Sequence, residues 1–432
     1  MLTVAYLTNQ FPSPVEPYVG EEIEQLRSRG IRVIAGSVRR VVDSSEDPPE
    51  IVLQSLGLVV LMRALWLCLR KWEQISSVVM RIILGGNESP LRQVKALMHT
   101  WLGACYAVCL AERGVDHIHV HHGYFGAWIA MVAARLLGVE FSMTLHGSDL
   151  LLQKAYLDVK LENCAFCFTV SEYNRRYILQ HYPEIDPTRV VVSRLGVALV
   201  PNVCCIVHRT EARRSEFTML AVGRLHPVKD HAFLVSACAQ LQECGVNFDC
   251  LLAGDGPERR RLESLIRRLD LDARITLLGH VARDQMDSLY ERADVVLLTS
   301  RSEGIPLVLM EAMARGKIVL APDITGIPEL VIAGKTGFLY RPGSMEDFLD
   351  RLLFIHSLIQ ADRAADHQRS DVHCSLLSAV GQLDWVRHGA RLQVRHNFNR
   401  NENLRSFGDL FISRIAARRE SFPHEDFVLQ QI

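Results

Sequence analysis

Asp294-Val-Val-Leu-Leu-Thr-Ser-Arg-Ser-Glu303-Gly-Ile-Pro306-Leu-Val-Leu-Met-Glu311-Ala-Met-Ala-Arg-Gly316 is the stretch whose reading decides the fold. Its apolar, β-branched opening, Val295 to Leu298, reads as a strand of a parallel sheet buried on both faces. A short polar loop follows, and Pro306 stands where the first residue of a helix would stand. The helical pattern runs to Gly316, a C-terminal stop. Backbone N–H groups around Gly304–Leu307 would then open into a crevice at the carboxyl end of a strand. In open α/β sheets that is where anionic ligands bind.

Two carboxylates flank this anion site, Glu303 before the helix and Glu311 about one turn inside it. Acids beside a phosphate pocket make chemical sense when they face hydroxyls. An ionised carboxylate only accepts hydrogen bonds, and a sugar or ribose diol offers two donors. Glu303-x7-Glu311, with Gly304 and Pro306 between, resembles the signature of retaining glycosyltransferases of family 4, which have the GT-B fold. Glu311-Ala-Met-Ala-Arg-Gly, Gly326-Ile-Pro-Glu-Leu-Val and Gly334-Lys-Thr-Gly-Phe-Leu are similar to that family too. The similarity is dense from about 217 to 342 and looser from 1 to 200.

The 432 residues, 49% hydrophobic, are enough for two domains of ordinary size. A net charge of −1 provides no overall field for nucleic acid. Eleven cysteines without framework spacing suggest reduced thiols and a cytosolic setting. Cys164-x-x-Cys167 has no second pair at zinc spacing and reads as buried structural cysteine. The N-terminus reads as a first strand, Leu2 to Leu7, with no signal-peptide pattern. The most apolar stretch, Ile51 to Leu69, is broken by Gln54, Ser55, Gly57 and Arg63, and does not read as a transmembrane helix.

Strand-like runs alternate with helix-length segments, which argues for two parallel sheets covered on both faces. Strands are expected at 2–7, 31–38, 115–121, 140–145, 165–170 and 188–193, then at 217–222, 247–253, 274–278, 294–299, 317–321 and 336–340. The expected architecture is α/β: two Rossmann-like domains, 1–205 and 206–395, with a linker near 198–216 that contains Cys204–Cys205. The resemblance implies GT-B, with the two domains facing each other across a cleft. It also implies that a C-terminal helix, 396–420, crosses back to the first domain; 421–432 is a tail.

In the second half, Gly223-Arg224-Leu225 follows the strand 217–222, and Lys229 comes five residues after Arg224. Two cations there would stabilise the charge of a departing nucleotide diphosphate, and the family has a similar Arg and Lys. Asp230 stands where the family usually has Gly, placing a carboxylate beside Lys229. Gly254, in Ala253-Gly-Asp-Gly, makes a tight strand-to-helix turn; by resemblance it lies near the nucleotide. Gly279-His280-Val281 resembles the stretch whose main chain frames the base. The resemblance also implies that Glu311 binds the ribose diol and that Glu303 sits by the donor sugar. The amides of Gly304, Ile305, Leu307 and Val308 would meet phosphates and sugar. Pro306 has no N–H to give.

In the first half, the loop Ser13-Pro-Val-Glu-Pro-Tyr-Val-Gly20 is expected on the acceptor side, with Gly20 a phosphate neighbour. The stretch resembles the exopolysaccharide and colanic-acid branch of family 4. His117, His119 and His121 share one strand face, but three imidazoles along a strand spread over about 13 Å, so no metal is expected. His121 and His122 would line the cleft at the carboxyl end. Thr144-Leu-His146-Gly-Ser-Asp149 matches the family pattern: His146 would donate a hydrogen bond to the donor sugar and Asp149 would cap the next helix. Ser171, Glu172, Arg175 and Arg176 are acceptor-side candidates. Arg194-Leu-Gly-Val-Ala198 departs from the family at Arg194 and Ala198.

Residues 51–100 hold six Lys/Arg against two Asp/Glu. Leu91, Val94, Leu97, Met98, Trp101, Leu102 and Cys105 form a helical stripe expected to face the core. For 56–71, with Arg63, Trp66, Arg70 and Lys71, the alternatives to a plain surface are contact with an anionic bilayer at the inner face of the membrane or with a lipid-linked acceptor.

The expected activity is a retaining glycosyltransferase that moves a sugar from a UDP- or GDP-linked donor to a saccharide or lipid-linked saccharide in polysaccharide biosynthesis. Glu303, His146, Arg224 and Lys229 would act at the reacting centre. No cofactor is expected, since the nucleotide-diphosphate sugar is a co-substrate. A nucleotide-sugar epimerase of the same fold and a non-catalytic partner of an assembly complex are the alternatives.

Overall fold

The computed structural model describes residues 1–13, 16–40, 48–85, 88–152, 154–200, 217–370 and 381–421. Most of the expected linker, including Cys204–Cys205, and the tail beyond 421 lie outside the described residues. The chain packs as two compact units, one of residues 1–194 with 402 onward, the other of 195–401.

Seven strands build the first unit: β1 (Thr3–Thr8), β2 (Arg32–Ser37), β3 (Ile51–Val52), β4 (His117–His121), β5 (Glu140–Leu145), β6 (Cys167–Thr169) and β7 (Val190–Val192). They form one sheet in the order β3-β2-β1-β4-β5-β6-β7, every pair parallel. All six residues of β1 are buried, as expected of a strand covered on both faces. β3, two residues at the sheet edge, is too short for a hydrophobic pattern and was not among the expected strands.

The second unit holds β8 (Phe217–Val222), β9 (Phe248–Ala253), β10 (Ile275–Gly279), β11 (Val295–Leu297), β12 (Ile318–Pro322) and β13 (Phe338–Tyr340). Their order is β10-β9-β8-β11-β12-β13, again all parallel. Each sheet reverses direction once, between β1 and β4 in the first and between β8 and β11 in the second. In open parallel sheets ligands bind outside the carboxyl ends of the strands at such a reversal of strand order.

The C-terminal helix Arg400–Ser421 belongs to the first unit from Glu402 on. Phe407, Phe411 and Ile415 are buried against Val4, Tyr6, Phe166 and Phe168. Arg29 holds the exposed side, with Nη1 on Asp409 Oδ1 at 2.5 Å and Nη2 on the Arg405 carbonyl at 2.7 Å. Gly196 accounts for its own place in Arg194-Leu-Gly-Val-Ala198. A Cβ there would stand 2.6 Å from the Arg400 backbone nitrogen, because Val197 pairs with the returning chain at Phe398–Arg400.

The expected core stripe of the helix Pro90–Leu110 is corrected. Leu91, Val94, Leu97 and Met98 are exposed, whereas Cys105 is buried as expected and Trp101 and Leu102 pack half-buried on the core; the rest of the buried face is Ala96, Thr100, Gly103, Ala104, Tyr106, Ala107 and Leu110. Small residues let this helix approach Phe125–Leu137 closely: a Cβ on Gly103 would lie 2.7 Å from Val132 Cβ. Close contact, not side-chain bulk, chose the inner face.

Phe411→Ala should lower stability by roughly 3–5 kcal/mol in urea unfolding, the cost of emptying a large aromatic site. A loss under about 1 kcal/mol would mean that this helix contributes little to the first unit.

Candidate active site

In the second unit the two loops at the β8/β11 reversal carry the sequence motifs. After β8, the turn Pro227–Lys229 is set at one end by His226, whose Nδ1 accepts from the Val228 amide at 3.3 Å. At its other end Asp230 takes a left-handed conformation, φ +49°, which costs a non-glycine residue little when it is Asp or Asn. The Asp230 carboxylate turns to Arg301, Oδ2 to Nε 2.7 Å, not to Lys229. The Arg301 amide donates to the Val228 carbonyl at 2.8 Å, and Thr299 Oγ1 to the Lys229 carbonyl at 2.9 Å. So the loop after β11 is stitched to the loop after β8.

These ties bring Lys229 Nζ to 2.5 Å from Glu303 Oε1. The Glu303 carbonyl is fixed too, accepting from Thr325 Oγ1 at 2.7 Å. Arg224 is exposed, and its guanidinium has no partner among the described residues. Gly223 lies beside the Lys229 side chain, which a Cβ there would touch at 3.7 Å, an ordinary contact. Gly254, at φ +147°, lies so close to the Gly223 carbonyl that no side chain fits. Its amide donates to the Gly279 carbonyl at 2.7 Å, which joins the turns after β9 and β10. His280 is exposed and Val281 half-buried.

The helix after β11 is Leu307–Ala314, with Pro306 at the position before it, φ −76° and ψ 122°. The expected placement of Pro306 as first helical residue is off by one. Among the described residues, the amides of Gly304, Ile305, Leu307 and Val308 take no intramolecular hydrogen bond. The far end closes as expected: Gly316 (φ +68°) donates to the Met313 carbonyl at 2.9 Å and Lys317 to that of Ala312 at 2.9 Å. Glu311 is held by a residue the sequence did not single out, Tyr290, whose hydroxyl donates to Oε2 at 2.7 Å. Arg315 lies over the Tyr290 ring, 4.9 Å from its centroid.

In the first unit, the β1/β4 reversal gathers histidines and acids. His121 Nε2 lies 3.0 Å from Glu22 Oε2, and its Nδ1 lies 3.1 Å from His146 Nε2. His122, at φ +68°, places Nε2 2.8 Å from Glu16 Oε1 and Nδ1 3.6 Å from Asp149 Oδ2. Glu16 stands just before the helix Pro17–Arg27 and Glu22 lies buried within it. That helix corrects the expected loop: Gly20 lies in its first turn, not in a Pro-rich loop. Asp149 does not cap the following helix as expected. Fully buried, it accepts from the amides of Gly123, His146, Gly147 and Leu150 at 2.8–3.1 Å and ties the loops after β4 and β5 together.

Burial, with the charges of His122 and His121, holds the His146 imidazole well below its ordinary pKa. Burial also works against a charged His122, but Asp149 and Glu16 outweigh it and hold His122 up to about 10. Burial would raise the Asp149 carboxyl, yet the bond and charge of His122 hold it below the ordinary carboxylate range.

The spread of imidazoles along β4 did not anticipate that Glu22, His119 and His121 bring ligand atoms within 4.8 Å of one another. Both nitrogens of His119 face hydroxyls, Ser142 Oγ at 2.7 Å and Thr144 Oγ1 at 3.0 Å. The donor set is engaged in a hydrogen-bond network. Ser171 is fully buried and caps the helix Glu172–His181, accepting from the Asn174 amide at 3.1 Å. Arg175 Nε donates to the Val190 carbonyl at 3.1 Å. Cys164 and Cys167 are both buried.

Residues 15–199 match the family model Glycosyltransferase Family 4, and residues 207–365 match Glycosyl transferases group 1. The chain is 36% identical over 231 residues to the "Putative colanic acid biosynthesis glycosyltransferase WcaL" of Salmonella typhimurium, covering 52% of this chain and 51% of that one. It is 27% identical over 304 residues to the 2-deoxystreptamine glucosyltransferase of Streptomyces kanamyceticus, 64% of this chain and 78% of that one. The chain spans about half the length of the WcaL relatives it matches. Among solved structures, the sucrose-phosphate synthase of Thermosynechococcus elongatus aligns with TM-score 0.71 at 20% identity, over 96% of this chain and 100% of that one. Anabaena HepE in complex with UDP and glucose aligns with TM-score 0.64 at 17% identity, over 96% and 100%. At such identities the likeness speaks to the fold alone, which is that of GT-B glycosyltransferases.

The raised His122 value fixes a sign for the pH dependence of stability. The protonated ring is the form the fold favours, so its stabilisation is complete below 6.5 and is lost as pH climbs through about 10. Thermal unfolding of the wild type should therefore fall several degrees further across that window than that of His122→Asn, which keeps the left-handed backbone. Parallel pH profiles for the two proteins would contradict the assignment.

Proposed function

Because the chain carries a Glycosyltransferase Family 4 domain and a Glycosyl transferases group 1 domain, we propose that it moves a sugar from a nucleotide-diphosphate sugar to a saccharide or lipid-linked saccharide acceptor in cell-surface polysaccharide biosynthesis. The observation that carries this reading is the meeting of Lys229 and Glu303 at the β8/β11 reversal, beside the unpaired amides of Gly304, Ile305, Leu307 and Val308. The name of WcaL and the UDP and glucose bound to HepE support the same chemistry.

In this reading the diphosphate takes Lys229 from Glu303 and adds Arg224 and the loop amides. Cations and amide dipoles aimed at the leaving oxygens stabilise the charge that builds as the bond breaks. Glu303, released, accepts from hydroxyls of the donor sugar, while Glu311, held by Tyr290, accepts from the ribose diol. The bond from the anomeric carbon to the phosphate oxygen breaks as the acceptor oxygen bonds on the same face. The acceptor proton passes to the departing phosphate, with retention of configuration.

Glu22 governs what His146 offers. A carboxylate only accepts, so His121 Nε2 bears the proton that faces Glu22. With His121 neutral, its Nδ1 accepts from His146 Nε2, and His146 Nδ1 is left an acceptor. With His121 charged, His146 Nε2 accepts and its Nδ1–H donates. Donation from His146 to a donor sugar thus calls for an imidazolium at His121.

Lys229→Ala and Glu311→Ala should each lower transfer by at least about a hundredfold, the scale for losing a charge-stabilising or orienting group. Mass spectrometry of products from a nucleotide-sugar panel with a lipid extract reads the activity, and thermal unfolding checks that both variants stay folded. Wild-type turnover in both would remove these roles. A new sugar made from UDP-sugar without any acceptor would point to epimerisation instead.

A further inference from the structure

Twenty-one large apolar side chains stand exposed among the described residues, and fourteen of them fall between Leu58 and Met98. Exposed apolar residues scattered singly are ordinary, but a concentration of this kind marks a docking surface. The fourteen lie on three consecutive helices that pack on one another, Leu58–Arg70, Trp72–Leu84 and Pro90–Leu110. On the first, Leu58, Met62, Leu65 and Leu69 are 74%, 59%, 43% and 69% exposed, and their spacing makes one stripe. Trp66 and Trp72 are each 49% exposed. The inward positions are already filled: Ala64, Ile75, Val78, Ile82 and Ala96 are buried in the first unit's core. These helices therefore carry apolar residues on both faces, and the outer set is unused.

Charge decides what covers it. Residues 51–100 carry six cations against two acids. Arg63, Arg81 and Arg92 are taken up in ion pairs with Glu112, Asp158 and Glu88. Arg70 lies over the Trp66 ring at 4.9 Å, and neither it nor Lys95 has a carboxylate partner among the described residues. A second copy of the chain would set this net positive segment against itself. An anionic bilayer accepts the apolar stripe and the cations together. No described helix is long and apolar enough to cross a membrane, so the contact is in the plane of the surface.

We propose that the helices Leu58–Arg70 and Trp72–Leu84, with the first turns of Pro90–Leu110, form a face that lies in an anionic lipid surface. Leu58, Met62, Leu65 and Leu69 enter the acyl boundary, Trp66 and Trp72 sit at the headgroup level, and Arg70 and Lys95 meet lipid phosphates.

Co-sedimentation of the full chain with vesicles tests this without sugar chemistry, so its outcome does not depend on the proposed activity. Binding to phosphatidylglycerol/phosphatidylcholine vesicles should exceed binding to phosphatidylcholine alone by at least about tenfold and weaken with salt. Met62→Glu/Leu65→Glu/Leu69→Glu should lose at least about tenfold in partitioning with unchanged thermal unfolding. Should that variant fail to fold, Arg70→Glu/Lys95→Glu should abolish the preference for anionic vesicles. A folded wild type that stays in the supernatant overturns the proposal. So does self-association without vesicles that the triple variant abolishes, and so does an unchanged lipid preference in the charge-reversed protein.

Discussion

The ion pair between Lys229 and Glu303 is the contact on which the candidate site depends. It joins two loops that are far apart in sequence and neighbours only because the second sheet reverses direction between β8 and β11. Both side chains are largely withdrawn from water, at 21% and 12% exposure. A charge in that setting is costly unless matched. The pair matches the two charges and holds the Lys229 ammonium beside the loop after β11. The surrounding contacts serve that placement: His226 caps the turn, Asp230 and Arg301 close it, and Thr325 fixes the Glu303 backbone. Asp230, which departs from the family's usual glycine, is compatible with the turn because it both adopts the left-handed backbone and finds its own partner.

The same logic orders the first unit. Its reversal lies between β1 and β4, and there His121, His122 and His146 meet Glu16, Glu22 and Asp149. Glu22 faces His121, which faces His146, while His122 lies between Glu16 and Asp149, so these polar groups are buried with partners and not alone. Asp149 is the keystone, accepting four backbone amides and facing His122. The two units thus use one topological device for two kinds of polar centre, a lysine–glutamate pair in one and a histidine–carboxylate network in the other.

The parallel strands were legible because parallel sheets buried on both faces demand continuous apolar runs, and such runs survive in a single sequence. The Glu303–Glu311 spacing was legible because strand, loop and helix succeed one another there without interruption. What escaped the sequence is of two kinds. Partners distant along the chain left no local signal: Tyr290 under Glu311, Glu22 beside His121, Arg301 on Asp230. Elsewhere bulk misled. In Pro90–Leu110 the large apolar residues suggested the inner face, but Gly103, Ala104 and Ala107 were chosen for close helix contact, and Leu91, Val94 and Met98 point outward. Pro306 was misplaced by one residue because a proline suits the position before a helix as well as the first position within it.

The central claim is that the β8/β11 crevice, with Lys229, Arg224 and the free amides after Glu303, is built to hold a nucleotide diphosphate. Calorimetric titration with UDP and with GDP, on the wild type and on Lys229→Ala, tests it most directly. The account requires measurable heat with at least one nucleotide for the wild type, and affinity weakened by about tenfold or more once the cation is gone. No heat at millimolar nucleotide, or equal affinity in the two proteins, would contradict it.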